Sequence, residues 1–154
     1  MKTPALNPFY HQDTPGTSGP PAAVERAERV ERVERVEKPW GHEEVFAVLE
    51  GHYVGKVLDI NAGGVLSLQM HHDKNETVAV QTGRISMEYG PDAEHLQTVT
   101  LRPGDRLLIP AQVVHRMTAI VDSRVLEAST AHHGWRDDVV RFEDRYGRAG
   151  TSAP

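Results

Sequence analysis

Gly63-Gly64-Val65-Leu66-Ser67-Leu68-Gln69-Met70-His71-His72-Asp73-Lys74-Asn75-Glu76-Thr77-Val78-Ala79-Val80-Gln81-Thr82-Gly83 is the stretch whose reading decides the fold, together with Gly104-Asp105-Arg106-Leu107-Leu108-Ile109-Pro110-Ala111-Gln112-Val113-Val114-His115-Arg116 farther along. Successive side chains on a strand face opposite ways, so Gln69 and His71 share one face while Met70 and His72 take the other. Asp73-Lys74-Asn75 reads as a turn that returns the next strand antiparallel and sets Glu76 at its start beside His71. In the second block Pro103-Gly104-Asp105 and Pro110-Ala111-Gln112 read as turns flanking a short strand from Arg106 to Ile109, and His115 opens the strand that follows. Gln69, His71, Glu76 and His115 then converge. Two imidazoles, a carboxylate and an amide oxygen suit a divalent metal ion, with zinc, manganese, iron, cobalt and nickel all compatible and water completing the shell.

Outward from these blocks, turn signals recur every eight to twelve residues from Trp40 onward, among them Asn61-Ala62-Gly63-Gly64, Thr82-Gly83, Gly90-Pro91-Asp92 and Val121-Asp122. Strand-like runs lie between them: His52 to Ile60, Thr77 to Gln81, Arg84 to Tyr89, Gln97 to Leu101 and Arg124 to Ser129. Short, evenly spaced strands of this kind predict an all-β sandwich or barrel, and a jelly roll is the expectation.

The two blocks resemble the cupin superfamily, whose motifs are G-x5-H-x-H-x4-E-x6-G and G-x5-P-x-G-x2-H-x3-N. Gly63, His71, Glu76, Gly83, Gly104, Pro110 and His115 fit, while Gln69 stands in place of His, Gln112 in place of Gly and Ala119 in place of Asn. The run Leu66 to His72 looks like a narrower branch, the cupin domain of type II mannose-6-phosphate isomerases, which typically carries Gln at the position of Gln69. Lys38-Pro39-Trp40-Gly41 is similar to that branch's R-P-W-G opening. Asp137-Asp138-Val139-Val140-Arg141-Phe142-Glu143-Asp144-Arg145-Tyr146-Gly147-Arg148 is similar to its D-D-I-V-R-L-E-D-x-Y-G-R ending. The resemblance covers residues 38–148 and implies a cupin jelly-roll barrel (a double-stranded β-helix) with a metal held by Gln69, His71, Glu76 and His115. The branch continues from His72 with H-R-x-E-x-W, where this chain has Asp73, Lys74, Asn75, Glu76, Thr77 and Val78, so its Arg and Trp are replaced at the pocket wall. The nucleotidyltransferase domain that often precedes this cupin is not among the 154 residues, and sugar-nucleotide synthesis is not expected of them.

Further candidates lie outside the metal blocks. Glu127 shares a strand face with Val125 and Ser129; facing inward it would be a carboxylate in an apolar-walled cavity, tuned as a general acid or base, and facing outward it would pair with an Arg. Lys38, Arg145 and Arg148 would hold a sugar phosphate in the isomerase reading, Arg148 foremost, or form surface ion pairs with Asp137, Asp138, Glu143 and Asp144. His72 faces away from the metal by alternation, and His132 and His133 fall in a solvated loop.

Composition sets the outer limits. The chain carries a net charge of −5 and no cysteine, which excludes a thiolate metal site and a disulfide framework and leaves no basic face for nucleic acid. No apolar run has membrane-spanning length and no signal core follows Met1, so a cytoplasmic protein is expected. Residues 1–37 read as a disordered or weakly helical N-terminal extension: residues 1–23 are rich in Pro, Gly, Thr and Ala, and Val24 to Glu37 repeats Val-Glu-Arg triplets whose i,i+4 pairs support only a marginal helix. By the resemblance, residues 38–148 are expected to form the cupin domain and residues 149–154 a tail.

Three functions stay open on the sequence. The first is a metal-dependent isomerase acting on mannose 6-phosphate or a related aldose phosphate, with Glu127 or a hydroxide on the ion carrying the proton. The second is a small-molecule cupin enzyme, an oxygenase or cyclase. The third is a non-catalytic module that binds a metal and a sugar. A homodimer, paired so as to protect strand edges, is expected in each case.

Overall fold

Apolar and polar residues alternate along most of the chain beyond Trp40, and in the structure, a computed structural model describing residues 32–151, that pattern becomes eleven strands. They are β1 (Glu34–Lys38), β2 (Gly41–Leu49), β3 (Tyr53–Ile60), β4 (Leu68–Met70), β5 (Glu76–Thr82), β6 (Ile85–Gly90), β7 (Gln97–Leu101), β8 (Arg106–Ile109), β9 (Val114–Ala119), β10 (Ser123–Thr130) and β11 (Val140–Glu143). A six-stranded sheet has the order β1-β2-β3-β10-β5-β8 and a five-stranded sheet the order β11-β4-β9-β6-β7, with every pairing antiparallel. This is the expected jelly roll. No helix among the described residues is long and apolar enough to cross a membrane.

The inner faces of the two sheets make one core. Leu58, Ile60, Val78, Val80 and Val125 come from the larger sheet, Ile85, Met87, Met117 and Ala119 from the smaller, and Trp40 closes one side. Fully burying an aliphatic side chain of this size stabilises by about 1.5–3 kcal/mol, so a handful of them outweighs any surface ion pair. Strand β10 shows the alternation most plainly. Ser123, Val125, Glu127 and Ser129 are buried, while Arg124, Ala128 and Thr130 are exposed.

Two expectations change. Of the extension read as disordered or weakly helical, residues 1–31 lie outside the described residues, but Glu34 to Glu37 belong to β1, which pairs with β2 through a tight reversal at Pro39-Trp40. Strand pairing satisfies every second backbone group, whereas the helical i,i+4 pairs offered only about 0.2–0.5 kcal/mol each. The folded part thus reaches back before residue 38. Strands β4 and β5 also do not form the hairpin that the Asp73-Lys74-Asn75 turn suggested: β4 pairs with β9 and β11, β5 with β10 and β8, and the turn crosses from one sheet to the other.

Gln112, which replaces the motif glycine, has φ +67°. Its backbone N–H donates to the His71 carbonyl at 2.7 Å, so the turn is tied to the residue that follows β4. A left-handed backbone costs an L-residue roughly 1–2 kcal/mol, offset in glycine by roughly 0.5–1 kcal/mol of extra unfolded-chain entropy. Gln112→Gly is therefore expected to stabilise by up to about 1 kcal/mol, read as a rise in melting temperature. An unchanged or lower value would mean that the Gln side chain supports the turn.

Candidate metal centre

Each candidate ligand is placed by a different element. Gln69 on β4 is the register partner of His115 on β9 in the smaller sheet, His71 follows directly after β4, and Glu76 opens β5 in the larger sheet. The carboxylate of Glu76 reaches across the barrel interior, with Oε1 3.3 Å from His71 Nε2 and Oε2 3.3 Å from His115 Nε2. All three residues are buried, and their ligand atoms lie within 4.8 Å of one another. Gln69 lines the same cavity, and Ser67 Oγ donates to its Oε1 at 2.7 Å.

The two rings are held in one orientation. His71 Nδ1–H donates to the Asp138 carbonyl and His115 Nδ1–H to the Val113 carbonyl, the latter at 2.9 Å. A carbonyl only accepts, so Nδ1 carries the proton and Nε2 turns inward as a free lone pair, the tautomer a metal needs. His71 Nε2 is fully buried without a hydrogen-bond partner. Donors bound to one cation at about 2.0–2.2 Å sit roughly 3–3.5 Å apart, which matches the observed separations. The residues fit a divalent ion.

Sequence reading missed the cation already inside. Lys74, taken as a turn residue, is buried with Nζ 2.6 Å from Glu76 Oε1 and 3.6 Å from Glu127 Oε1. Lys56 continues the line, 3.9 Å from Glu127 and 3.7 Å from Glu43, and Lys38 ends it 3.3 Å from Glu43. Burial would push the Lys74 ammonium down, but the charges of Glu127 and Glu76 overcome it and raise it above the usual lysine value. Burial would likewise push Glu76 up, yet the Lys74 charge and the facing His115 and His71 rings hold it well below the usual carboxylate range. Desolvation lowers His115 and the facing Glu76 carboxylate raises it, with a net rise. The signal for Lys74 was present: it occupies the position of the branch's Arg, so the positive charge is kept. Val78, at the branch's Trp position, is a core residue.

Glu127 faces inward, is buried and lines the cavity. Its surroundings are not apolar as expected from the sequence: Lys74 and Lys56 flank it, and Ser129 Oγ donates to Oε1 at 3.0 Å. Strand alternation alone could not reveal lysines arriving from β3 and from the turn before β5.

Asp138 is the second residue that went unrecognised. Its carboxylate accepts the backbone N–H groups of His72, Asp73 and Lys74 at 2.7, 3.0 and 2.9 Å, while its own carbonyl orients His71. The C-terminal segment thereby clamps the His72–Lys74 turn. Burial pushes Asp138 up and the three N–H donors pull it down, with a net lowering. Its stabilising effect is thus fully present above the ordinary carboxylate value and is lost as pH falls through the depressed one. Asp73, His132 and Asp138 also cluster, but the Asp138 oxygens are already engaged by these amides.

Arg148 lines the cavity, held by Asp144 at 2.8 Å, and Lys38 and Arg141 line it too; Arg141 Nε is buried without a hydrogen-bond partner. Burial and the neighbouring Arg148 charge lower Arg141, and burial lowers Lys38. Arg145 instead lies outside this cavity, 3.5 Å from the Gly63 carbonyl. His72 and His133 are exposed, and His132 lies 3.4 Å from Asp138. The cavity encloses about 350 Å³, within the range of small-molecule sites.

Residues 25–144 match the sequence family described as mannose-6-phosphate isomerase C-terminal. The chain is 30% identical over 113 residues to the xanthan biosynthesis protein XanB of Xanthomonas campestris pv. campestris, covering 72% of this chain and 23% of that protein. It is likewise 30% identical over 113 residues to the mannose-1-phosphate guanylyltransferase ManC of Salmonella typhimurium, covering 72% of this chain and 22% of that protein. It thus spans less than a quarter of the curated relatives it matches. Among solved structures, an RmlC-like cupin from Shewanella frigidimarina superposes with a TM-score of 0.53 at 12% identity, covering 65% of this chain and 85% of that one.

Proposed function

Because this chain belongs to the mannose-6-phosphate isomerase C-terminal family, we propose that it is a metal-dependent cupin that binds an aldose phosphate in its cavity and interconverts it with the ketose. The observation that carries this reading is the convergence of His71, Glu76 and His115 around a buried, unpartnered Nε2. Gln69 would complete the ligand set. A divalent ion there would polarise the adjacent carbonyl and hydroxyl oxygens of the open-chain sugar and lower the cost of the enediolate.

The chain's own residues supply the rest. Glu127 takes the proton from C2 and returns it to C1, while the hydroxyl proton passes from O2 to O1. Lys74 and Lys56 flank the Glu127 carboxylate at 3.6 and 3.9 Å and hold it in place at the cavity wall. Lys38, Arg141 and Arg148 receive the phosphate; an anion there would satisfy Arg141 Nε and relieve the mutual repulsion of Arg141 and Arg148. Trp135, buried at the cavity wall, shields the reacting end from water.

The test is direct. Metal-loaded protein is expected to interconvert mannose 6-phosphate and fructose 6-phosphate, and Glu127→Gln is expected to lower turnover by about 100-fold or more with metal content unchanged. Mannose 6-phosphate, unlike mannose, should raise the melting temperature, and Arg148→Met should remove that difference. Absence of turnover alongside an active control enzyme would overturn the isomerase reading. Thermal stabilisation by the sugar phosphate without turnover would instead support a binding module, a reading favoured by the Lys74 ammonium that already engages both carboxylates.

A further inference from the structure

Two cations have a claim on one oxygen of Glu76. Oε1, which lies 3.3 Å from His71 Nε2, also lies 2.6 Å from Lys74 Nζ. The atom that an ion held by His71 would bind is therefore the atom that accepts the ammonium's hydrogen bond. Behind Lys74 the signs of charge go on alternating. Glu127, Lys56, Glu43 and Lys38 follow at 3.6, 3.9, 3.7 and 3.3 Å, each measured from the one before, so three carboxylates face three ammoniums. None of these six side chains is more than 17% exposed. In so dry a row an unmatched charge is strongly unfavourable, and the six residues by themselves sum to zero.

We infer that Lys74 is a resident cation of this site, held on Glu76 in competition with the divalent ion, and that the ion enters by displacing the ammonium onto Glu127. The inference rests on the metal-dependent reading above. Lys74 is placed for such an exchange. Its backbone N–H, with those of His72 and Asp73, is pinned by the Asp138 carboxylate, so the ammonium competes as a tethered neighbour at high effective concentration rather than as a dissolved salt. Its flexible four-carbon stem lets Nζ pivot, and the second carboxylate is already 3.6 Å away. A doubly charged ion on Glu76 repels an ammonium on the same oxygen, and burial strengthens that repulsion, while Glu127 offers the ammonium another acceptor. The exchange leaves neither carboxylate bare. The fold then persists with or without the ion, and loading follows the concentration of free ion.

Manganese binding to the full chain, read from the electron paramagnetic resonance of the free ion, tests this. Loss of a residue that merely props up the site would weaken binding, whereas loss of a competitor strengthens it. Lys74→Met and Lys74→Gln are expected to bind manganese about 10-fold or more tightly than wild type, and Lys74→Arg, which keeps the charge, is expected to stay near wild type. Lys74→Gln retains a hydrogen-bond donor for the two carboxylates and so gives a result even where the Met variant fails to fold. Equal or weaker binding by Lys74→Gln would overturn the inference and leave the metal site standing, as would a gain in Lys74→Arg as large as that in Lys74→Gln. Absence of manganese binding in both wild type and Lys74→Gln would overturn the metal-dependent reading itself, and this inference with it.

Discussion

Lys74→Met is expected to lower the stability of the metal-free protein by about 3–5 kcal/mol, because it leaves Glu76 and Glu127 as buried carboxylates stripped of their nearest ammonium. For a domain whose whole stability is about 5–15 kcal/mol, that is a large fraction. A divalent ion bound at His71, Glu76 and His115 would return positive charge to Glu76, and stabilisation through binding grows by about 2.7 kcal/mol once the ion is at a hundred times its dissociation constant. The variant should therefore melt much lower than wild type in chelator and recover part of the difference in zinc or manganese. Lys74→Arg keeps the charge and should stay close to wild type. Chemical denaturation in chelator with and without added metal distinguishes the cases. A Lys74→Met protein as stable as wild type in chelator would mean that the ammonium is not a structural partner of the two carboxylates.

The second large effect concerns the ion itself. His71→Ala removes one of two imidazoles and should reduce metal content from one equivalent to near zero, while the fold persists through the core of Ile85, Met87, Val125 and their neighbours. Asp138→Ala touches no ligand directly. It frees three amides of the His72–Lys74 turn and loosens the segment whose carbonyl fixes the His71 ring. Losing outer partners of this kind typically costs 10–100-fold in affinity, roughly 1.4–2.7 kcal/mol, and that is the expected weakening here. Asp138→Asn retains a carbonyl oxygen and should fall between. Isothermal titration with zinc measures all three, and tight binding by His71→Ala would remove that residue from the ligand set.

Strand periodicity was enough to put Gln69 and His71 on one face and to mark the turns at Pro103-Gly104-Asp105 and Pro110-Ala111-Gln112, but it left open whether Glu127 faces inward or outward. It could not say which sheet a strand joins. Glu76 therefore meets His71 across the interior rather than along a ladder, a fact of tertiary packing with no local trace. Lys74 and Asp138 escaped for a related reason. A lysine and an aspartate in polar runs look solvated until the chain folds one inward beneath two carboxylates and lays the other over backbone amides 64 to 66 residues away. Glu34 to Lys38 became a strand because β2 was there to pair with, an influence the triplet repeat does not display.

Glu76 belongs to one sheet of the jelly roll, and His115 to the other. An ion shared between them would act as a cross-link over the seam where the layers would part in any partial opening. Amide protons on β5 and β9 would then exchange with solvent more slowly, and by the same factor, when metal is added. Loading and layer separation become a single equilibrium, so the breathing of the barrel is itself a gauge of occupancy.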